Sequence, residues 1–83
     1  MRVFLQQPPG GTEPARYLQL TLQPDLFGGW ELLRESGQIG GRAKLHRQLF
    51  ADAGQAQAAF EKARDTERKR GYQITYTSGV PPR

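Results

Sequence analysis

The sequence predicts an α+β domain in which four or five antiparallel strands form a sheet and one helix packs on one face of it. Two stretches, 16–23 and 42–49, alternate between apolar and polar side chains, as half-buried strands do. Apolar residues at 56, 59, 60 and 63 recur at helical spacing, and glycines separate neighbouring runs. A chain of 83 residues is long enough for one domain, which we expect to occupy residues 1–83.

The first two strands are predicted from short apolar patterns. Arg2–Leu5 is predicted to be an edge strand. The prolines and glycines of Pro8–Gly11 end this strand and begin a loop. The stretch 16–23 places alternate side chains on one face, and Tyr17 lies on the opposite face. The apolar face consists of Leu18, Leu20 and Leu22.

A glycine-rich hairpin is predicted between the next two strands. Residues 30–35 form a strand whose Trp30 and Leu32 share a face with Arg34, and Gly37 and Gly40-Gly41 follow it. The strand after the turn has a basic stripe. One face carries Arg42, Lys44, His46 and Gln48, and the other carries Ala43, Leu45, Arg47 and Leu49.

The helix has recognisable ends. Asp52 is placed to cap its first turn, with Gln55 three residues later, and Gly71 is placed to end it. Its buried face is predicted to be Ala56, Ala59, Phe60 and Ala63. A last strand, 72–77, places Tyr72, Ile74 and Tyr76 on one face, and residues 78–83 form a flexible tail.

Composition excludes several classes of protein. The chain has no cysteine, so disulfides, thiol nucleophiles and cysteine-ligated metals are excluded. The apolar run at Met1–Leu5 is too short for a signal peptide, and no stretch approaches the roughly 20 apolar residues that span a bilayer. We therefore expect a cytoplasmic protein that does not act at a membrane.

The charge is unevenly distributed along the chain. The formal net charge is +4, with −1 on residues 1–41 and +5 on residues 42–83. A basic half of this kind favours an anionic partner, and a surface adapted only for solubility is the alternative. We expect nucleic acid to contact the following side chains: Arg34, Arg42, Lys44, Arg47, Arg68, Lys69 and Arg70.

Other roles are open for some of these side chains. Arg34 is also placed for a cross-strand pair with Glu31 or Glu35, and the cations at 68–70 offset the helix dipole. Tyr17 is the candidate for stacking on a base. Docking of another protein on an exposed sheet edge or on the helix is the rival function.

Catalysis is not predicted. No nucleophile–base pair or paired-carboxylate site is evident, and His46 is a lone histidine without metal-ligand companions. The glycine-rich segment at 37–41 leads into a strand, whereas a phosphate-binding loop leads into a helix. We expect no enzyme activity, no metal, no cofactor and no small-molecule substrate.

Three segments resemble the WGR domain family, including its stand-alone bacterial members. They are Tyr17–Leu20, the stretch from Phe27-Gly28-Gly29-Trp30 to Gly40, and the stretch from Phe60 to Tyr72, which together cover about residues 16–77. The resemblance implies a non-catalytic module that binds nucleic acid, DNA rather than RNA. Where the family carries Trp-Gly-Arg, this chain has Ser36-Gly37-Gln38, and Gly37 is expected to keep a left-handed turn.

Overall fold

Five antiparallel strands form one sheet, and one helix covers part of one face. The structure is a computed structural model that describes residues 1–8 and 14–79. Within these ranges the elements are β1 (Arg2–Gln7), β2 (Arg16–Pro24), β3 (Trp30–Gln38), β4 (Ala43–Phe50), α1 (Ala53–Lys69) and β5 (Gln73–Ser78). The strand order is β4-β3-β2-β1-β5, with antiparallel neighbours throughout. The predicted α+β class is confirmed.

The core lies between α1 and the face of the sheet that bears the predicted leucine stripe. Alternate residues of β2 are buried, as their period of two requires, and β1 and β3 add side chains to the same layer. From the helix, Ala56 and Phe60 are fully buried, and Ala59 and Ala63 are partly buried. The core residues are Val3, Leu5, Leu18, Leu20, Leu22, Leu32, Ala56 and Phe60.

Both predicted helix ends are present. The Asp52 carboxylate accepts a hydrogen bond from the backbone N–H of Gln55 at 3.0 Å, which satisfies one of the free donors in the first turn. Gly71 follows the last turn with φ +99°, a conformation that glycine adopts at low cost. The end at Gly71 places the basic residues at 68–70 in the last turn of the helix and directly after it.

The prediction that the first strand lies at a sheet edge is wrong. β1 lies between β2 and β5, and the sheet edges of the described chain are β4 and β5. After α1 the chain returns along the outer side of β1, so that Gln6 pairs with Gln73 and Arg2 pairs with Ser78. Val3 and Leu5, in a strand with neighbours on both sides, are fully buried.

An irregularity in β5 overturns the predicted arrangement of its side chains. Leu5 pairs with Ile74, but Phe4 pairs with Tyr76, so Thr75 is an extra residue in β5. Directly paired residues share a face, so Ile74 lies on the face of Leu5 and Tyr76 lies on the opposite face with Phe4. A bulge of one residue is invisible in a strictly alternating sequence.

The predicted flexible tail begins too early. Ser78 is the last residue of β5 and pairs with Arg2, so residue 78 belongs to the sheet. The rest of that prediction falls mainly on residues 80–83, which lie outside the described residues, as does the loop prediction at residues 9–13.

Candidate nucleic-acid interface

An open groove of about 580 Å³ lies where α1 ends beside the start of β2 and the hairpin between β3 and β4. Its lining combines side chains from both halves of the chain. The cations that line it are Arg16, Arg34, Arg42, Lys44 and Arg70. The other residues that line it are Leu18, Ser36, Gly37, Gln38, Glu67 and Tyr72. We call this groove, with its five cations, the basic groove.

Sheet register brings the strand cations together. Ser36 is the partner of Leu18 on one side and of Lys44 on the other, so these three residues share the face on which α1 packs. Arg34 lies two residues before Ser36 on the same face. Cations that are up to 54 positions apart in sequence, from 16 to 70, therefore meet in one groove.

A buried carboxylate organises two of the guanidinium groups. Glu67 is only 4% exposed, and its Oε1 accepts hydrogen bonds from Arg34 at 2.7 Å and from Arg70 at 3.2 Å. Arg34 therefore pairs with the helix, and the alternative that it pairs with Glu31 or Glu35 is wrong. One carboxylate against five cations leaves the basic groove with a large positive surplus.

Glu67 was not singled out from the sequence, although a signal for it exists. The buried face of α1 was predicted only as far as Ala63. The same helical spacing, continued from 56 and 60 through 63, reaches 67, which places Glu67 on the buried face. A carboxylate at such a position requires cationic partners, since an unpaired buried charge is strongly unfavourable.

The Ser36-Gly37-Gln38 segment forms one wall of the basic groove. The prediction of a left-handed Gly37 is wrong, because the positive φ of this hairpin is at Gly40, at +81°. Gly37 lies in β3, and a Cβ there would collide with the backbone carbonyl of Arg42. Glycine is thus required at 37 by the close approach of two strands.

The structure places six of the seven predicted contact residues in two regions. Arg34, Arg42, Lys44 and Arg70 lie in the basic groove, together with Arg16 and Tyr72, which the sequence had not singled out. Arg68 and Lys69 lie in a separate shallow depression beside Asp65. A hydrogen bond from Arg64 lowers the pKa of Asp65, and the charges of Arg68 and Lys69 lower it further.

Arg47 and Tyr17 lie on the opposite face of the sheet. Tyr17 stacks on Phe4 with ring centroids 5.7 Å apart, and its hydroxyl donates to Glu35 at 2.9 Å. That hydrogen bond raises the pKa of Tyr17, so the hydroxyl stays protonated. Arg47 donates to Glu31, which also accepts a hydrogen bond from Gln23.

Because of these partners, we expect Glu31 to make stability depend on pH. Hydrogen bonds from Gln23 and Arg47 hold the pKa of Glu31 below its ordinary value of 4.5. A carboxyl with a lowered folded-state pKa stabilises the fold above its ordinary pKa, and that stabilisation is lost as pH falls through the folded-state value. Denaturant unfolding at pH 7 should show Glu31→Gln to be less stable than wild type, with the difference shrinking below pH 4.5. A difference that is constant between pH 7 and pH 3 would contradict this.

The fold and the basic groove define a small α+β module with one strongly cationic surface. The chain belongs to the WGR domain family, because the family model for the WGR domain matches residues 1–78. Comparisons with curated proteins and with solved structures find no significant match. WGR domains are often linked to nucleic-acid binding.

The described residues lack two further kinds of feature. No helix in residues 1–8 and 14–79 is long and apolar enough to cross a membrane. In the same ranges, no group of three or more histidine, aspartate or glutamate side chains is arranged to hold a metal ion.

Proposed function

We propose that this chain is a non-catalytic module that binds nucleic acid, DNA in preference to RNA. The cations of the basic groove contact the backbone phosphates. The observation that carries the proposal is the convergence of five cations from three strands, a turn and a helix end on one groove. Phosphate contacts of this kind provide most of the affinity of sequence-independent binding.

The arrangement of Arg34 and Arg70 favours phosphate as the ligand. Both guanidinium groups are held by Glu67, so less conformational entropy is lost when they contact an anion. Their remaining N–H donors suit phosphate oxygens, which guanidinium groups bind in a bidentate manner. Arg42 and Lys44 line the same groove and are exposed, so they can contact a neighbouring phosphate.

The same contacts argue for a non-catalytic role. The groove's carboxylate, Glu67, accepts hydrogen bonds from two guanidinium groups and is therefore unsuited to act as a general base. His46 is exposed and lies in a smaller depression beside Arg34. Base-specific readout is not part of the proposal, since the groove offers cations for phosphates rather than a helix for the major groove.

Salt dependence tests this function directly. If about four phosphates are contacted, the affinity for duplex DNA should fall about 100-fold between roughly 50 and 200 mM salt. Fluorescence anisotropy with a labelled duplex of arbitrary sequence measures this, and an RNA duplex of the same sequence tests the preference for DNA. Absence of duplex binding at low salt would refute the proposal.

A second candidate function, docking of another protein, is favoured by the exposure of β4. This strand is a sheet edge, and its Leu45 and Leu49 are 68% and 58% exposed on the face away from α1. Unpaired edge strands can accept a further strand from a partner. A nuclease-resistant complex with one protein that is lost in Leu45→Lys would support this function, and an unchanged complex would argue against it.

A further inference from the structure

A row of aromatic side chains crosses the face of the sheet that α1 leaves uncovered. Tyr17 in β2 stacks on Phe4 in β1 with an angle of 10° between the ring planes. Phe4 is in turn the direct partner of Tyr76 in β5, which is 58% exposed. Three neighbouring strands thus contribute one ring each, and we call Tyr17, Phe4 and Tyr76 the aromatic row.

The bulge at Thr75 creates this row. Without an extra residue in β5, regular alternation would place Tyr76 on the same face as Ile74 and Leu5. The Thr75 hydroxyl donates to the backbone carbonyl of Phe4 at 3.2 Å, which ties the bulge to the strand that carries the central ring. Bulges commonly redirect a side chain towards a functional surface.

The surroundings of the aromatic row are polar and free of acidic groups from its own strands. β1, β2 and β5 contain no aspartate or glutamate. On the open face they present Arg2 and a set of side chains that donate and accept hydrogen bonds. These are Gln6, Gln19, Gln73 and Ser78. Glu35 lies on the neighbouring strand β3, and its carboxylate accepts a hydrogen bond from the Tyr17 hydroxyl.

We infer that the aromatic row is a second nucleic-acid site, which binds single-stranded DNA or RNA by stacking its bases. Exposed aromatic rings stack on any base, and glutamine side chains can hydrogen-bond to base edges. A duplex cannot use this surface in the same way, because its bases are already stacked on one another. A sheet with exposed aromatic side chains is an established platform for single strands.

The position of the row supports a nucleic-acid ligand. Arg16 lines the basic groove, and the next residue, Tyr17, begins the aromatic row on the opposite face of β2. The two surfaces therefore start at the same end of the sheet. This inference rests on the proposed function only in taking nucleic acid as the ligand, because it concerns different side chains on a different face.

The test compares two variants on the same open face. Tyr76 and Leu49 are both 58% exposed, so Tyr76→Ser removes a ring of the row while Leu49→Ser removes a similarly exposed apolar side chain outside it. Anisotropy with a labelled 15-nucleotide oligothymidylate should show Tyr76→Ser to bind about tenfold more weakly than wild type, as expected for the loss of one stacking contact. Leu49→Ser should bind like wild type, and both variants should bind duplex DNA normally.

Each other outcome overturns the inference. No binding of the oligonucleotide by wild type, or unchanged binding by Tyr76→Ser, shows that the row does not stack bases. Equal weakening in both variants points to a general effect of the open face. If wild type also fails to bind duplex DNA, the proposed function fails as well. If wild type binds duplex DNA but the aromatic row does not contribute to single-strand binding, only this inference is refuted. Thermal unfolding of both variants checks that the fold is retained.

Discussion

Replacing Arg42 and Lys44 together by glutamine is expected to weaken duplex DNA binding by about 10- to 100-fold near 100 mM salt. Both side chains are exposed in the basic groove, and neither has an ion pair in the described part of the chain. Their loss removes about two phosphate contacts, so the slope of log affinity against log salt should decrease by about 2. Thermal stability should hardly change, because exposed side chains contribute little to it.

The matched control is the double replacement Arg68→Gln and Lys69→Gln. It removes the same two positive charges at the helix end, where the side chains lie outside the basic groove beside Asp65. We expect this variant to keep nearly the wild-type affinity and salt slope. If the two double variants lose affinity equally, net charge rather than the groove determines binding.

Substitution of Gly37 by alanine is expected to destabilise the domain by about 1–3 kcal/mol, because the new methyl group must displace a backbone. A Cβ at this position would meet the carbonyl group of Arg42 and the Cα of Ala43, which are backbone atoms and cannot rotate away as a side chain can. For a domain of this size, the melting temperature should fall by roughly 10 °C. Duplex binding should also weaken, since Gly37 and Arg42 both line the basic groove.

Gly41→Ala in the same hairpin is the control. A Cβ at Gly41 would have its nearest neighbour, Cβ of Gln38, at 3.4 Å, which is an ordinary contact. Its effect on the free energy of unfolding should stay within about 0.5 kcal/mol, and duplex binding should not change. Equal destabilisation by the two substitutions would show that the hairpin, rather than the strand contact at Gly37, is sensitive to a methyl group.

Much of the fold could be predicted because local patterns agreed with the final packing. Leu18, Leu20 and Leu22 alternate in sequence, and they form the centre of the core. Asp52 and Gly71 mark the helix ends, because capping depends on residues next to one another in the chain. The basic stripe on β4 likewise follows from alternation alone.

The features that the sequence did not reveal depend on contacts between distant segments. The position of β1 inside the sheet is decided by β5, which is added some 70 residues later. Arg16 and Tyr72 join the basic groove only because β2 and the helix end meet there. The bulge at Thr75 changes the face on which Tyr76 lies, and no residue type in β5 signals it.

The most direct test of the basic groove is to map the bound duplex on the protein by NMR. Titration of ¹⁵N-labelled protein with duplex DNA should shift the amide signals of Gly37, Gln38 and Lys44 on the groove wall, and that of Tyr72 beside the helix end. The signals of Leu26 and Phe27, exposed in the hairpin between β2 and β3, should not move. Shifts centred on Arg68 and Lys69, or on the open face, with the groove signals unchanged, would contradict binding in the groove.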